Sequence, residues 1–292
     1  MNEWKKWEIK IIEKNDFPEG LKGIRNCPEK LYYRGEWNNN LFEKTVAIVG
    51  SRQITRYGKE IVDKIMPEIV SRKTTVISGF MYGVDTESHK KCLEYGGKTV
   101  AVLGGGLDEP CPSENDKLYT EILEKGGIII SEYEPDFKAM TWSFPQRNRI
   151  VSGLSTVGVV VIEAGIKSGS LITAKLALEQ KRQVLAIPGP INSRTSEGTN
   201  WLIKTGSARM ITTPIDIFED KISFPEQETL FKDYSNLNEV EKIIIDLLET
   251  EAMTSDELCQ MTKRNITEIS TNLSMMLMKD LLTEEDGKFY IS

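Results

Sequence analysis

The run FPQRNRIVSGLS at 144–155 carries Arg147 and Arg149, two permanently charged planar forks, with Asn148 between them. Guanidinium groups pair bidentately with phosphate oxygens. A short way on, SGSLITAKLALEQ opens a helical pattern at Ser168, Gly169 and Ser170, and the first N–H groups of a helix have no intrahelical partner. Together they predict an anion site whose natural ligand is phosphate. Lys167 stands just ahead of that turn and Thr173 one turn into the helix. Phe144 offers a flat apolar face for a base, which points from free phosphate toward a polynucleotide. A second segment, VAIVGSRQITRYGKE, runs a buried strand into Gly50, Ser51 and Arg52. The small residues let a phosphate approach backbone N–H groups, with Arg52 projecting beside it. Alone, Arg52 reads equally as a surface arginine after a tight turn; the convergence of several cations and helix openings on one mouth carries the reading.

The same inventory speaks against most enzyme chemistry. His89 is the single histidine, and with no serine elbow, no HExxH, no Walker lysine and no GxGxxG, neither a hydrolase triad, a zincin, ATP hydrolysis nor a standard dinucleotide site is indicated. His89 reads as a helix-packing imidazole. Glu132 and Glu163 sit at strand ends, where paired-carboxylate catalysis is formally open; their more obvious task is to orient Arg147, Asn148 or Arg149. Asp85 and Asp108 suit ribose or metal binding, or helix capping. Gly104, Gly105 and Gly106 permit close approach by a ligand or simply close packing. Cys27, Cys92, Cys111 and Cys259 show no CxxC spacing, which fits a reducing compartment and no structural zinc. We therefore expect no catalytic residue, no metal and no cofactor.

Stepping outward, residues 43–220 alternate β-branched runs with helical patterns, the mark of an α/β protein with a doubly wound, mostly parallel sheet. Strands are predicted at 45–49, 75–78, 99–103, 127–131, 156–163 and 183–187, with an edge near 210–212. Helices are predicted at 59–71, 84–95, 115–125, 144–152, 170–180 and 201–204. Nearly every strand ends in glycine or serine, the floor of a cleft at the carboxyl ends of the sheet. Four stretches follow: 1–43, an extension packing on the main domain through Trp4, Trp7, Phe17, Leu31, Tyr32 and Tyr33; the domain 44–221; a linker, 222–235; and a small domain, 236–292. The last shows helical patterns at 240–248, 255–261 and 266–277 and a hairpin around Asp286-Gly287, with Asn238 and Thr254 or Ser255 as caps, which makes a winged helix.

The chain holds 37 basic and 44 acidic residues, net −7. Residues 236–292 contribute 12 acidic and 5 basic side chains, so the rest balances at 32 of each. The larger part must hold an anion through a local cluster, and the tail is poorly suited to DNA. No run approaches the length of a membrane span, and the N-terminus lacks a signal peptide's apolar stretch, so a cytoplasmic location is expected.

The segments VAIVGSR, SGFMYGVDTESHKKCLEYGGKTVAVLGGGLD, ISEYEP, FPQRNRIVSGLS, SGSLITAKLALEQKRQVLAIPG and EGTNWLIKTGSARMI, in this order over about residues 17–220, resemble the DprA/Smf family of bacterial DNA-processing proteins. The resemblance implies an extended Rossmann-like domain that binds single-stranded DNA without cutting it, dimerises, and hands the strand to the recombinase RecA in natural transformation. On matched positions it implies Arg52 and 144–149 as DNA contacts, and a winged helix at the tail. The helical N-terminal domain of many members does not precede these segments, and Cys111 stands where the family pattern has tyrosine. The tail's acidity favours a protein partner over DNA. A second reading is a phosphoribohydrolase acting on nucleoside monophosphates on a related scaffold; its PGGxGTxxE signature is absent, leaving Glu163 as the nearby carboxylate.

Overall fold

The computed structural model describes residues 3–219, 237–248, 252–279, 281–285 and 287–291. They fall into two compact units divided after Asp220. The expected linker at 222–235 lies outside the described residues, as does Asp286 of the expected hairpin turn.

Among the described residues, the first unit is built on one nine-stranded sheet. In chain order it comprises β1 (Lys10–Glu13), α1 (Glu19–Lys22), β2 (Lys30–Gly35), β3 (Thr45–Val49), α2 (Arg56–Ser71), β4 (Thr75–Ser78), α3 (Val84–Glu94), β5 (Thr99–Val102) and α4 (Asp116–Glu124). There follow β6 (Ile128–Ser131), α5 (Ser143–Gly153), β7 (Gly158–Val161), α6 (Gly169–Glu179), β8 (Val184–Ala186), α7 (Glu197–Lys204) and β9 (Arg209–Met210). The strand order is β1-β2-β6-β5-β4-β3-β7-β8-β9. From β6 to β9 all pairs are parallel. The expected six strands and edge are all present: 45–49 and 75–78 with the expected bounds, the next four trimmed at their ends, and the edge shifted to Arg209–Met210.

Parallel strands are covered on both faces, and the pleat alternates which cover each side chain meets. Val46 and Ile48 pack with Val62, Ile65, Met66 and Ile69 of α2. Their neighbours Ala47 and Val49 pack on the other face with Ile150 and Val151 of α5 and Ala174 and Ala177 of α6. The two alanines bring α6 close to the sheet.

Residues before β3 do more than pack on the domain: β2 pairs antiparallel with β6, and β1 with β2. Leu31 is buried on one face and Tyr32 on the other, so this short run serves as a buried strand. Trp4 and Phe17 are also buried.

The sheet is wound outward from β3 in both directions. Strands β4, β5 and β6 proceed one way; then the chain crosses back through α5 and lays β7 on the other side of β3. Loops leaving the carboxyl ends of β3 and β7 diverge there, opening a crevice at this switch point.

The second unit contains α8 (Glu239–Leu248), β10 (Met253–Thr254), α9 (Ser255–Thr262), α10 (Ile266–Met278), β11 (Leu282–Glu285) and β12 (Lys288–Ile291). Among the described residues its strands form an antiparallel sheet in the order β10-β12-β11. Asn238 accepts from Glu241 N at 2.8 Å while its own N–H donates to the Glu241 carboxylate at 2.9 Å, and Thr254 forms the same reciprocal box with Glu257. Ile244, Leu258, Ile269, Leu273 and Phe289 close the core.

Candidate nucleic-acid interface

A cleft of about 590 Å³ occupies the switch point, lined by the turn after β3, the turn after β4, the start of α5 and the loop and helix after β7. Gly50, Ser51, Arg52, Phe144, Arg147, Asn148, Lys167, Ser168, Gly169, Ser170 and Thr173 all line it. With Arg194 and Thr195 from the loop after β8, five segments widely separated in sequence thus meet at one mouth, because the strands that deliver four of them, β4, β3, β7 and β8, are neighbours in the sheet.

Each wall is held by local chemistry. Ser168 caps α6: its side chain accepts from Ser170 N at 3.3 Å and lies 2.7 Å from the Ser170 hydroxyl. Ser51 Oγ accepts from Gln53 N at 3.0 Å and donates to its carbonyl, fixing the turn beneath Arg52. Asn148 donates to the Gly169 carbonyl at 3.4 Å, linking α5 to the α6 opening. The turn after β4 locks onto the turn after β3 through Val84 N donating to Ser51 O at 3.1 Å. Gly83, at φ 77°, makes this approach possible: a Cβ there would lie 2.6 Å from the Arg52 carbonyl.

The two arginines of 144–155 separate. Residues two apart on a helix differ by about 200° around the axis. Arg147 turns into the floor of the cleft, buried at 4% exposure, donating to the Val102 carbonyl and to Asn148 Oδ1 at 3.3 Å. Asp85 accompanies it there; burial raises the Asp85 carboxyl above its ordinary pKa, against the pull of Arg147. Gly79 separates the two, since a Cβ would meet both side chains, 2.6 Å from Arg147 Nη2. Arg149 is not among the cleft residues. It is 7% exposed and donates to Glu132 at 2.5 Å, to Asn26 O at 2.9 Å and to Gln146 O at 2.7 Å. The expectation that Arg149 grips a phosphate is corrected, because Arg149 is a buried internal brace; Arg147, expected either to grip phosphate or to brace the site, is a buried residue on the cleft floor.

Glu132 orients Arg149 as expected, but Glu163 does not touch either arginine. It is 2% exposed and accepts from Thr55 N at 2.9 Å, Thr55 Oγ1 at 2.5 Å and Thr195 Oγ1 at 3.3 Å, tying the start of α2 to the loop after β8. His89 is fully buried between the Gly79 carbonyl at 2.6 Å and Thr99 Oγ1 at 2.7 Å. A carbonyl only accepts, so Nε2 carries the hydrogen, and burial pushes the imidazole pKa down to about 4. Asp108 pairs with the buried Arg34 at 2.5 Å. The three consecutive glycines serve packing: Gly104 lies against Phe144, Gly105 against Ala139 and Gly106 against the Glu134 and Pro135 carbonyls.

Three cations remain exposed on the cleft lining: Arg52, Lys167 and Arg194. Arg194, Gln53 and Tyr82 were not anticipated. Arg194 comes from the loop after β8, whose sequence IPGPINSRTSEG gives no local signal beyond glycine and proline; Tyr82 sits in the glycine turn SGFMYGVD, where an exposed aromatic was the available cue. Arg52 covers the Phe144 ring, its guanidinium carbon 5.4 Å from the centroid. No group of three or more metal-ligating side chains occurs among the described residues.

A doubly wound α/β protein with a cationic cleft at its switch point is the class that fold and site define. Residues 8–221 match the family model described as DNA recombination-mediator protein A. The chain belongs to this family, that of the DprA and Smf proteins. It is 41% identical to protein Smf of Escherichia coli over 204 residues, 70% of this chain and 54% of that protein. The chain thus spans about half the length of that relative. DNA processing protein A from Streptococcus pneumoniae aligns with a TM-score of 0.68 at 37% identity, covering 75% of this chain and 77% of that one. The Helicobacter pylori protein, described for its single-stranded DNA binding mode, aligns with a TM-score of 0.65 at 31% identity, covering 73% and 94%. The large mostly parallel sheet is the fold these structures share.

Proposed function

We propose that this protein binds single-stranded DNA without cutting it, protects the strand, and passes it to a RecA-type recombinase during natural transformation, in the cytoplasm. The observation that supports this most directly is the cleft itself. Arg52, Lys167 and Arg194 are exposed around the Ser168-capped start of α6, so phosphate finds side-chain charge and the positive end of a helix together. The DNA contacts are Gly50, Ser51, Arg52, Lys167, Ser168, Gly169 and Ser170, with Phe144, Arg147, Asn148 and Thr173 shaping the wall and floor. The likeness to a protein described for single-stranded DNA binding supports the choice of ligand. Against a phosphoribohydrolase stands Glu163, whose carboxylate is already bound by Thr55 and Thr195.

The protein pairs with a second copy of itself through an apolar groove of about 730 Å³ along α6 and α7, where Ile172, Leu178 and Trp201 are 41%, 45% and 50% exposed. The small unit is a winged helix that binds protein rather than DNA. The outer face of α10, with Ile266, Ser270, Ser274, Met275 and Met278 exposed, carries no cation for a phosphate.

Fluorescence anisotropy with labelled single- and double-stranded oligonucleotides across a salt series tests the ligand. Single-strand preference with steep salt dependence is expected; equal affinity for both forms, or binding indifferent to salt, counts against it. Recombinase transfer is measured separately, as faster filament formation on strands already covered by this protein.

A further inference from the structure

We propose that a second cavity, away from the cleft, receives an arginine side chain from a basic segment of a partner protein. The cavity has a volume of about 560 Å³ and is lined from two stretches, 12–22 and 37–43. Glu43, on its lining, leads into the amino end of β3, whereas the cleft opens over the carboxyl end. Its occupant is therefore independent of how the cleft holds DNA.

The inner wall is aromatic. Phe17 and Phe42 line it at 3% and 5% exposure and belong to the core beneath. Trp37 is half-buried, its ring 4.8 Å from that of Phe42 and 5.3 Å from that of Tyr33. The indole N–H donates to Asn39 Oδ1 at 3.2 Å, so the ring is held at its polar edge as well. An indole ordered before its ligand arrives loses little freedom on binding, and its face is the best of the aromatic faces for a cation.

The rim is acidic. Asp16, Glu19 and Glu43 are exposed on the lining, and the single cation beside them is Lys22, which pairs with Glu19 at 2.8 Å. Cations close in sequence to the other two carboxylates are engaged elsewhere: Lys14 pairs with Glu29 at 2.8 Å, and Lys44 lies 4.8 Å from the Phe218 ring centroid. Asp16 and Glu43 take part in no ion pair among the described residues. Three carboxylates against one ammonium leave the lining negative, which repels phosphate. No group of three or more metal-ligating side chains occurs among the described residues, so a metal ion does not account for the charge. A guanidinium meets both surfaces at once, because its flat face stacks on an aromatic ring while its edge donates to carboxylates.

The test uses the full chain with isotope-labelled tryptophan and a capped peptide, acetyl-Gly-Arg-Gly amide. Its citrulline counterpart keeps the shape and loses the charge. The Trp37 indole N–H signal, assigned with Trp37→Phe, is expected to shift saturably with the arginine peptide. Those of Trp4, Trp7, Trp142 and Trp201 stay in place, and the citrulline peptide moves none of them. The double variant Asp16→Asn, Glu43→Gln removes two exposed ion pairs with the peptide and is expected to weaken binding roughly 2- to 30-fold. Both side chains are exposed and unpaired, so urea unfolding of the double variant stays as it was. An unmoved Trp37 signal, an equal response to the citrulline peptide, or undiminished affinity in the double variant overturns the proposal. So does a shift spread evenly over all five indoles, the mark of non-specific attraction to an acidic protein.

Discussion

Arg52→Ala is the perturbation that most directly weighs the cleft. Three exposed cations line it, Arg52, Lys167 and Arg194; Arg147 is buried beside Asp85 and is not counted. If each neutralises one phosphate, log K falls with log salt at a slope of about −0.7 per contact for a single strand, so about −2.1 in total. Raising salt from about 50 to about 200 mM then weakens the intact protein roughly 20-fold. With two contacts left the slope becomes about −1.4 and the same salt step costs about 7-fold. At low salt the lost charge-assisted hydrogen bond is worth about 1.5–3 kcal/mol, or roughly 10- to 150-fold in Kd. Anisotropy titrations of both proteins at four or five salt concentrations measure slope and intercept together. Parallel lines for the two proteins would refute the placement of a phosphate on Arg52, whatever the change in affinity. Urea unfolding should differ by no more than about 1 kcal/mol between them, since Arg52 is exposed and gives up only its cation–π contact with Phe144.

Arg149→Ala is expected to lower stability by about 2–3 kcal/mol, because it leaves the partly buried Glu132 without its charged partner; chemical denaturation checks this, and a normally stable variant with impaired DNA binding would restore Arg149 to the interface. His89 gives a pH dependence with a definite sign. Its folded pKa of about 4 lies below the ordinary 6.5, so above pH 6.5 both states are neutral, and on acidification through the window from 6.5 to 4 only the unfolded chain takes up the proton. Stability therefore falls, by about 3 kcal/mol across the window, and His89→Gln removes that part of the slope; identical pH profiles in urea melts would contradict it. Leu178→Arg places a charge in the α6–α7 groove and is expected to halve the mass seen by light scattering, with single-strand binding by each copy intact; an intact protein already monomeric rules out the dimer.

Most of the sheet was legible because parallel strands covered on both faces show as short β-branched runs, and the helix starts because Thr254 and Ser168 carry local cap chemistry. The strands at 10–13 and 30–35 were not. KLYYRG has one buried apolar residue on each face, Leu31 and Tyr32, before the charged Arg34, and only pairing with β6 and β1 makes it a strand. The fate of the arginines was partly accessible: a helix over 144–152 already places Arg147 and Arg149 on opposite sides. Which side held the cleft, and that Glu132 waited on the other, depended on β6 lying two positions from β4 in the sheet.

By itself, then, the sequence determined the kinds of groups available: cations at strand ends, a serine-glycine helix start, an unpaired histidine and no catalytic set. Those follow from local composition and spacing. Only the tertiary structure decided which of them share a surface. Winding the sheet both ways from β3 brings Arg52, Lys167 and Arg194 to one mouth, while burial gives Arg149, Glu163 and His89 partners that leave them nothing to offer a ligand. Charge and hydrogen-bonding capacity are properties of a residue, but their availability is set by neighbours that the chain supplies from far away.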